Sequence, residues 1–181
     1  MKLSFLLNGI DYSVLSGSTD IEISKLVYDS RKVEPGDVFV CLKGYNVDAH
    51  KFAQSAVDKG AAAVVLSDEL DLKDTAVIKV DDTRKALACL SANFFGHPAK
   101  ELISIALTGT KGKTTTACMI QSILQAGGLK TGTIGTLGIV IGDKIYKTNN
   151  TTPESLKFSR HSAKWLTRAA KLLLSKHLHS V

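Results

Sequence analysis

The sequence predicts an α/β fold in two parts, and three observations predict it. Apolar runs of strand length recur at residues 38–42, 61–66, 75–80 and 102–107. Stretches with helical spacing follow the first, third and fourth of these runs, and Gly or Pro markers punctuate the sequence. Strands alternating with helices give a sheet covered by helices.

Residues 3–7 fit either a strand or a short helix. Pro35-Gly36 is a turn before the strand Val38-Phe39-Val40-Cys41-Leu42. A helix is expected over 50–59, with Phe52, Ala53, Ala56 and Val57 inward and Gly60 as its stop. Buried strands are expected at 61–66 and 75–80, joined by the acidic loop 67–74. Asp81 or Asp82 should then cap a helix running through Leu87, Leu90 and Phe94. Gly96-His97-Pro98 ends it, and a domain boundary is expected near residue 98.

The second part opens with the apolar run Leu102, Ile103, Ile105, Ala106 and Leu107, read as a buried strand. A turn of small residues follows, Thr108-Gly109-Thr110-Lys111-Gly112-Lys113-Thr114. From 114 to 126, Ala117, Met119, Ile120, Ile123, Leu124 and Ala126 recur at helical spacing, with Gly127 as the stop. Strand, glycine turn and helix in this order bring backbone N–H groups and a positive helix end around a phosphate. Lys113 would add a point charge near the β/γ-phosphates, and the Thr114 hydroxyl could hold Mg²⁺. The spacing departs from G-x-x-x-x-G-K-[ST], because Leu107 stands where the first glycine would be. The plain alternative is an ordinary βα turn whose lysine faces water, but Gly-Lys-Thr at the start of a helix after an apolar strand favours phosphate binding.

Beyond Gly128, a strand is expected at 129–134. A hairpin is expected between 137–141 and 144–147, around Gly142-Asp143. The polar stretch Thr148-Asn149-Asn150-Thr151-Thr152-Pro153-Glu154 precedes a helix that Pro153 would open; composition alone reads it as a solvated loop.

Hydrophobic residues make up 44% of the 181, ample for a core and unlike a disordered chain. Cys41, Cys89 and Cys118 are odd in number and scattered through expected strands and helices, so they read as reduced core residues of a cytoplasmic protein. The first residues are too short a run for a signal peptide, and no later run suits a membrane span. The net charge of +6 is local. Lys157, Arg160, Lys164, Arg168, Lys171 and Lys176 lie in 157–181 with no acid among them, which leaves 17 of each sign before. The body of the chain therefore carries no nucleic-acid signature.

Three pieces together resemble the Mur ligase family of peptidoglycan synthesis. They are Asp29-Ser30-Arg31 with Pro35-Gly36-Asp37-Val38-Phe39-Val40, the loop 108–115, and Asn150-Thr151-Thr152-Pro153-Glu154. The pattern is most similar to members that add the third amino acid, lysine or diaminopimelate, to UDP-N-acetylmuramoyl-L-alanyl-D-glutamate. Many members carry Asn where this chain has Lys111. The resemblance implies a small α/β UDP-muramoyl-binding domain at 1–98, followed by the first part of a P-loop α/β ATPase domain at 99–156. It implies UDP-sugar contacts at Ser30, Tyr45, Asn46, Val47, Asn150, Thr151 and Thr152. It implies ATP contacts at Gly109, Thr110, Lys111, Gly112, Lys113, Thr114 and Thr115, with Lys113 as the catalytic charge and Mg²⁺ at Thr114. It further implies ATP as co-substrate and an acyl-phosphate route to the amide bond.

The later Mg²⁺ ligands, the modified lysine and the third domain of the family have no counterpart in this sequence, so the chain alone is expected to be inactive. The resemblance fades near residue 156. The basic stretch 157–181 reads either as an amphipathic helix that could touch acidic lipid or nucleic acid, or as out-of-frame translation, the favoured reading. A non-catalytic nucleotide-binding module with a basic docking tail is the alternative function. A small P-loop kinase or GTPase fits less well, since it leaves the N-terminal motifs unexplained.

Overall fold

Runs of Val, Ile, Leu and Ala that are buried on both faces belong in a parallel sheet with helices on either side. The computed structural model bears this out; it describes residues 1–44, 47–135, 138–141, 144–146, 154–167 and 172–176. The chain forms two units, Met1–Phe94 and Phe95–Val181.

In the first unit, β1 (Ser13–Ser16), β2 (Leu26–Val27), β3 (Val38–Val40), β4 (Ala63–Leu66) and β5 (Ala76–Lys79) form one sheet in the order β1-β5-β4-β3-β2. Strands β2 to β5 are parallel, while β1 pairs antiparallel with β5 and carries a bulge between Val14 and Ser16. Every residue of β3 and β4 is buried. Phe39, Val64, Leu66 and Val77 share a core cluster with Ala53 and Ala56 of helix α2 (Ala53–Asp58). Full burial of a side chain such as Phe39 or Leu66 contributes about 1.5–3 kcal/mol. Helix α3 (Thr83–Phe94), with Leu87 and Leu90 fully buried, packs against α1 (Leu3–Leu6) and β2. Residues 3–7 thus resolve as a helix, and Asn93 Nδ2 donates to the carbonyls of Leu6 and Asn8, both at 2.8 Å, to satisfy its end.

The cap of α3 is Asp82, whose Oδ1 accepts from the N–H groups of Arg84 at 2.8 Å and Lys85 at 3.0 Å. The helix expected over 50–59 begins as a 3₁₀ turn, Ala49–Phe52, before α2. That turn shifts the phase, so Phe52 is 42% exposed instead of inward, while Ala53 and Ala56 keep their places.

In the second unit, β6 (Ile103–Leu107), α4 (Lys113–Ala126), β7 (Thr131–Gly135), β8 (Gly138–Ile141), β9 (Lys144–Tyr146), α5 (Ser155–Thr167) and β10 (Leu172–Lys176) follow in order. The sheet runs β6-β10-β7-β8-β9, with β10 parallel to both β6 and β7. The expected hairpin is present, since β8 pairs antiparallel with β9 and Ile141 stands opposite Lys144; Gly142 and Asp143 lie outside the described residues. The amphipathic helix offered as one reading of the basic stretch 157–181 is corrected in its described part, where α5 ends at Thr167 and Leu172–Lys176 is a strand.

The expectation of a buried strand before the phosphate loop is corrected. β6 is a strand, yet Ile103 is 64% exposed and no residue of the strand is buried. It lies at the end of the sheet order, and the apolar cluster of this unit gathers instead at Leu102, Ile134 and Ile139, with Tyr146 and Phe158 against them. Met119 and Ile123 of α4 are also exposed. Thr131 Oγ1, Ser155 Oγ, His161 Nδ1 and Ser162 Oγ are buried with no hydrogen-bond partner among the described residues, as is Asp37 Oδ1 in the first unit. Each such group costs about 1–3 kcal/mol.

The three cysteines are free thiols. Cys41 is in the core, where burial pushes its thiol up to about 12. Cys89 is half-buried, and Cys118 is exposed on α4 instead of lying in a core. Among the described residues, no helix is long and apolar enough to cross a membrane.

Candidate functional site

Two places gather the residues singled out by sequence, one in each unit. In the second unit the chain leaves β6 at Leu107, turns through 108–112 and enters α4 at Lys113. The turn closes on Gly112, whose φ of +79° and ψ of −12° lie in the left-handed region that other residues avoid. Gly112 has no side chain with which to cap the helix, so the first N–H groups of α4 gain no side-chain cap from it. Thr116 N–H donates to Gly112 C=O at 2.9 Å, fixing the first helical turn. A Cβ at Gly112 would meet nothing within 4 Å among the described residues, so space is open at this glycine.

Lys113 curls back across this turn, its Nζ donating to the carbonyl oxygens of Gly109 and, at 3.5 Å, Thr110. The ammonium is thereby held above the glycine turn, beside the positive end of a 14-residue helix. Thr114 is half-buried next to it, and Lys111 and Thr115 are exposed. Backbone donors, a helix N-terminus, a lysine and a hydroxyl make a donor set that suits a phosphate chain with its Mg²⁺, in which Thr114 Oγ1 would be the metal ligand.

In the first unit, a cavity of about 520 Å³ is lined by Tyr28, Asp29, Ser30, Arg31, Phe39, Val47, Ala49 and Phe52. Ser30 starts a single 3₁₀ turn, Ser30–Lys32, capped by Asp29, whose Oδ1 accepts from Arg31 N–H at 3.2 Å. The Arg31 guanidinium grips the same carboxylate twice, Nε to Oδ1 at 2.9 Å and Nη2 to Oδ2 at 3.0 Å. This side-chain hydrogen bonding holds the Asp29 carboxyl below its ordinary range. Lys59 Nζ donates to Ser30 C=O at 2.7 Å from the end of α2.

Of the residues assigned to the UDP-sugar, Ser30 and Val47 therefore share one cavity. Tyr45, Asn46, Asn150, Thr151 and Thr152 lie outside the described residues. Tyr28, Phe39, Ala49 and Phe52 complete the walls, and sequence reading passed over them as lining residues. Tyr28 stands directly before the motif Asp29-Ser30-Arg31, which is the available signal; Phe52 is concealed by its assignment to a helix core.

A third grouping resembles a metal centre and is better explained without one. Ligand atoms of Asp48, His50 and Asp68 lie within 4.8 Å of one another. His50 Nδ1 is 2.6 Å from Asp48 Oδ1, and His50 Nε2 accepts from Ser67 N–H at 3.0 Å. Asp68 Oδ1 takes Lys43 Nζ at 2.7 Å. Both ring nitrogens are thus engaged by protein groups, leaving no lone pair for an ion. Asp48 is held below the usual carboxylate range by His50, first through its backbone N–H and then its ring; Asp68 is held low chiefly by the Lys43 ammonium.

Comparisons with known proteins bear on both places. A family model described as the Mur ligase family catalytic domain matches residues 22–95, and one described as the Mur ligase middle domain matches 107–174. UDP-N-acetylmuramoyl-L-alanyl-D-glutamate--2,6-diaminopimelate ligase of Clostridium perfringens is 47% identical over 156 residues, 86% of this chain and 32% of that protein. Its namesake in Bacillus licheniformis is 44% identical over 161 residues, 88% of this chain and 33% of that protein. A solved structure of a ligase with that name superposes with a TM-score of 0.80 at 24% identity, over 98% of this chain and 36% of the other, a likeness of fold. MurF from Acinetobacter baumannii gives a TM-score of 0.65 at 28% identity, over 98% of this chain and 35% of its own. The chain spans about a third of the length of the curated relatives it matches.

Proposed function

Since the chain belongs to the Mur ligase family, we propose that it carries the UDP-sugar seat and the ATP loop of a peptidoglycan-precursor ligase. Residues 1–98 would receive UDP-N-acetylmuramoyl-L-alanyl-D-glutamate, with Ser30 and Val47 in its cavity. Residues 99–156 would begin the ATP-binding unit, with the loop 109–115 around the phosphates. The observation that carries the reading is the left-handed Gly112 at the start of α4, with Lys113 folded back over the turn.

The reaction on this reading is amide formation driven by ATP, in the cytoplasm where both nucleotides are found. A substrate carboxylate oxygen bonds to the γ-phosphorus as the bond to ADP breaks, giving an acyl phosphate. The amine of the incoming amino acid then attacks the acyl carbon, phosphate leaves, and the amine gives up a proton. Negative charge shifts among phosphate oxygens throughout, so the useful groups are donors fixed in advance: the Lys113 ammonium and the N–H groups at the start of α4. Mg²⁺ held at Thr114 would offset further phosphate charge. No protein nucleophile is needed. The curated relatives of Clostridium perfringens and Bacillus licheniformis are diaminopimelate ligases by name, which favours diaminopimelate over lysine as the third residue.

Titration of the purified chain with Mg·ATP and, separately, with UDP-muramoyl dipeptide tests the two seats. Saturable binding of each is expected, without phosphate release above background when both are combined with diaminopimelate. Absence of nucleotide binding refutes the loop assignment, and steady turnover refutes the expectation of inactivity.

A further inference from the structure

We infer that His50 is a positioning residue that holds the part of the Ser30 cavity wall formed by Val47, Ala49 and Phe52, an inference that rests on reading this cavity as the UDP-sugar seat. Beyond β3 the chain turns back on itself, residues 43–44 pairing with 47–48. Gly44 N–H donates to Val47 C=O at 3.0 Å, Ala49 N–H donates to Leu42 C=O at 3.0 Å, and Lys43 bridges antiparallel to Asp48. Val47, Ala49 and Phe52, all on this stretch, line the same cavity as Ser30 and Arg31. A turn that carries part of a cavity wall needs an anchor if the wall is to hold its place.

His50 provides one. Its side chain is buried, and its two ring nitrogens face different elements. Nδ1 meets Asp48 Oδ1 at the foot of the turn, while Nε2 accepts from Ser67 N–H just after β4. Ser67 N–H is only a donor, so Nε2 carries the lone pair and Nδ1 the proton. Asp48 Oδ1 also accepts from His50 N–H at 3.0 Å, which fixes the backbone beside the ring. The imidazole thereby pins the turn that bears Val47 to the end of β4. A side chain that merely filled this space would need neither bond. A wall held this way keeps its separation from Ser30 when the cavity is empty, and an ångström of misplacement is enough to weaken a fixed polar contact.

The test uses the full 181-residue chain, with UDP as the titrant and amide hydrogen exchange as a second measurement. His50→Leu keeps bulk and removes both bonds, His50→Gln retains one donor and one acceptor, and Leu87→Ala weakens the unit through α3 without touching the cavity. At a temperature where all three remain folded, His50→Leu should bind UDP about tenfold more weakly, the scale of one lost buried hydrogen bond. Leu87→Ala should bind as the parent does, and His50→Gln should recover part of the loss. Exchange at the Gly44 and Ala49 amides should accelerate in His50→Leu alone. Equal affinities for His50→Leu and Leu87→Ala, or unchanged protection at Gly44 and Ala49, would overturn the inference. A parent chain that fails to bind UDP refutes the seat instead, and the exchange data then decide separately whether His50 pins the turn.

Discussion

Replacing Lys113 by methionine removes one charged donor and keeps most of the aliphatic stem. In the unliganded loop, Nζ donates to the Gly109 and Thr110 carbonyls. A hydrogen bond of this kind adds about 0.5–1.5 kcal/mol net. The helix start itself depends on the bond from Thr116 N–H to Gly112 C=O and on the left-handed glycine, neither of which involves the ammonium. The stability loss should therefore stay near 1 kcal/mol, about 4–8 °C in Tm for a unit of this size. Against a phosphate oxygen the same ammonium makes a charge-assisted contact of about 1.5–3 kcal/mol, or about 10- to 150-fold in Kd. Calorimetric titration with Mg·ATP, beside denaturant melts of both proteins, separates the two effects. Binding by the parent should also weaken with added salt more steeply than binding by the variant. Affinity in Lys113→Met within about twofold of the parent would refute the placement of the lysine at the phosphates.

Gly9 and Gly17 share a φ of +74° and +75°, but a Cβ at Gly9 meets nothing within 4 Å, whereas one at Gly17 falls 2.7 Å from Ala76 Cα. Gly9→Ala should cost about 1–2 kcal/mol from the backbone alone, and Gly17→Ala about 1–3 kcal/mol more, read from urea midpoints; equal costs would contradict the close approach. Burial, followed by the charges of Lys164, Arg160 and Lys157, pulls the His161 imidazole below its ordinary 6.5. The unfolded chain then takes up the proton first, so the second unit should lose stability as pH falls below 6.5, and His161→Phe should flatten that slope in pH-dependent melts. Asp29, held low chiefly by Arg31, has the usual carboxylate behaviour: its contribution is complete above 3.8 and fades as pH drops through its lower folded value. Asp29→Asn should remove that part of the acid transition of the first unit, and an unchanged transition would discount the pair.

Much of the first unit was legible because its signals are local. Val38-Phe39-Val40 and 63–66 are apolar at every position, which suits a strand buried on both faces, and Asp82 stands directly before the helix it caps. The turn after β3 was not legible, since nothing in the letters says that His50 reaches Ser67. The same holds for Phe52, where a 3₁₀ turn displaced the helical phase by enough to move the ring from core to cavity wall. In the second unit, the loop and its helix were clear from Gly112-Lys113-Thr114, yet the exposure of β6 was not, because burial depends on what lies beside a strand and not on the strand's own composition. Strand β10 escaped notice for a related reason. Leu172, Leu173 and Leu174 continue a basic stretch that reads equally well as helix, and only the pairing with β6 and β7 decides between the two.

That pairing has a consequence for the order of events during synthesis. The strand that delivers the chain to Gly112 has as its sheet neighbour a segment near the other end of the sequence, and so does β7, into which α4 leads. Such non-local closure is slow compared with forming a helix or a hairpin. The first unit has all of its sheet partners once residue 79 has been made, and can fold while the remainder is still emerging. The sheet beside the loop 108–112 is completed only when residues 172–176 pair with β6 and β7. A ribosome-bound chain should therefore acquire its cavity around Ser30 well before the sheet behind the proposed nucleotide loop is complete, and until then β6 is a strand without its β10 neighbour.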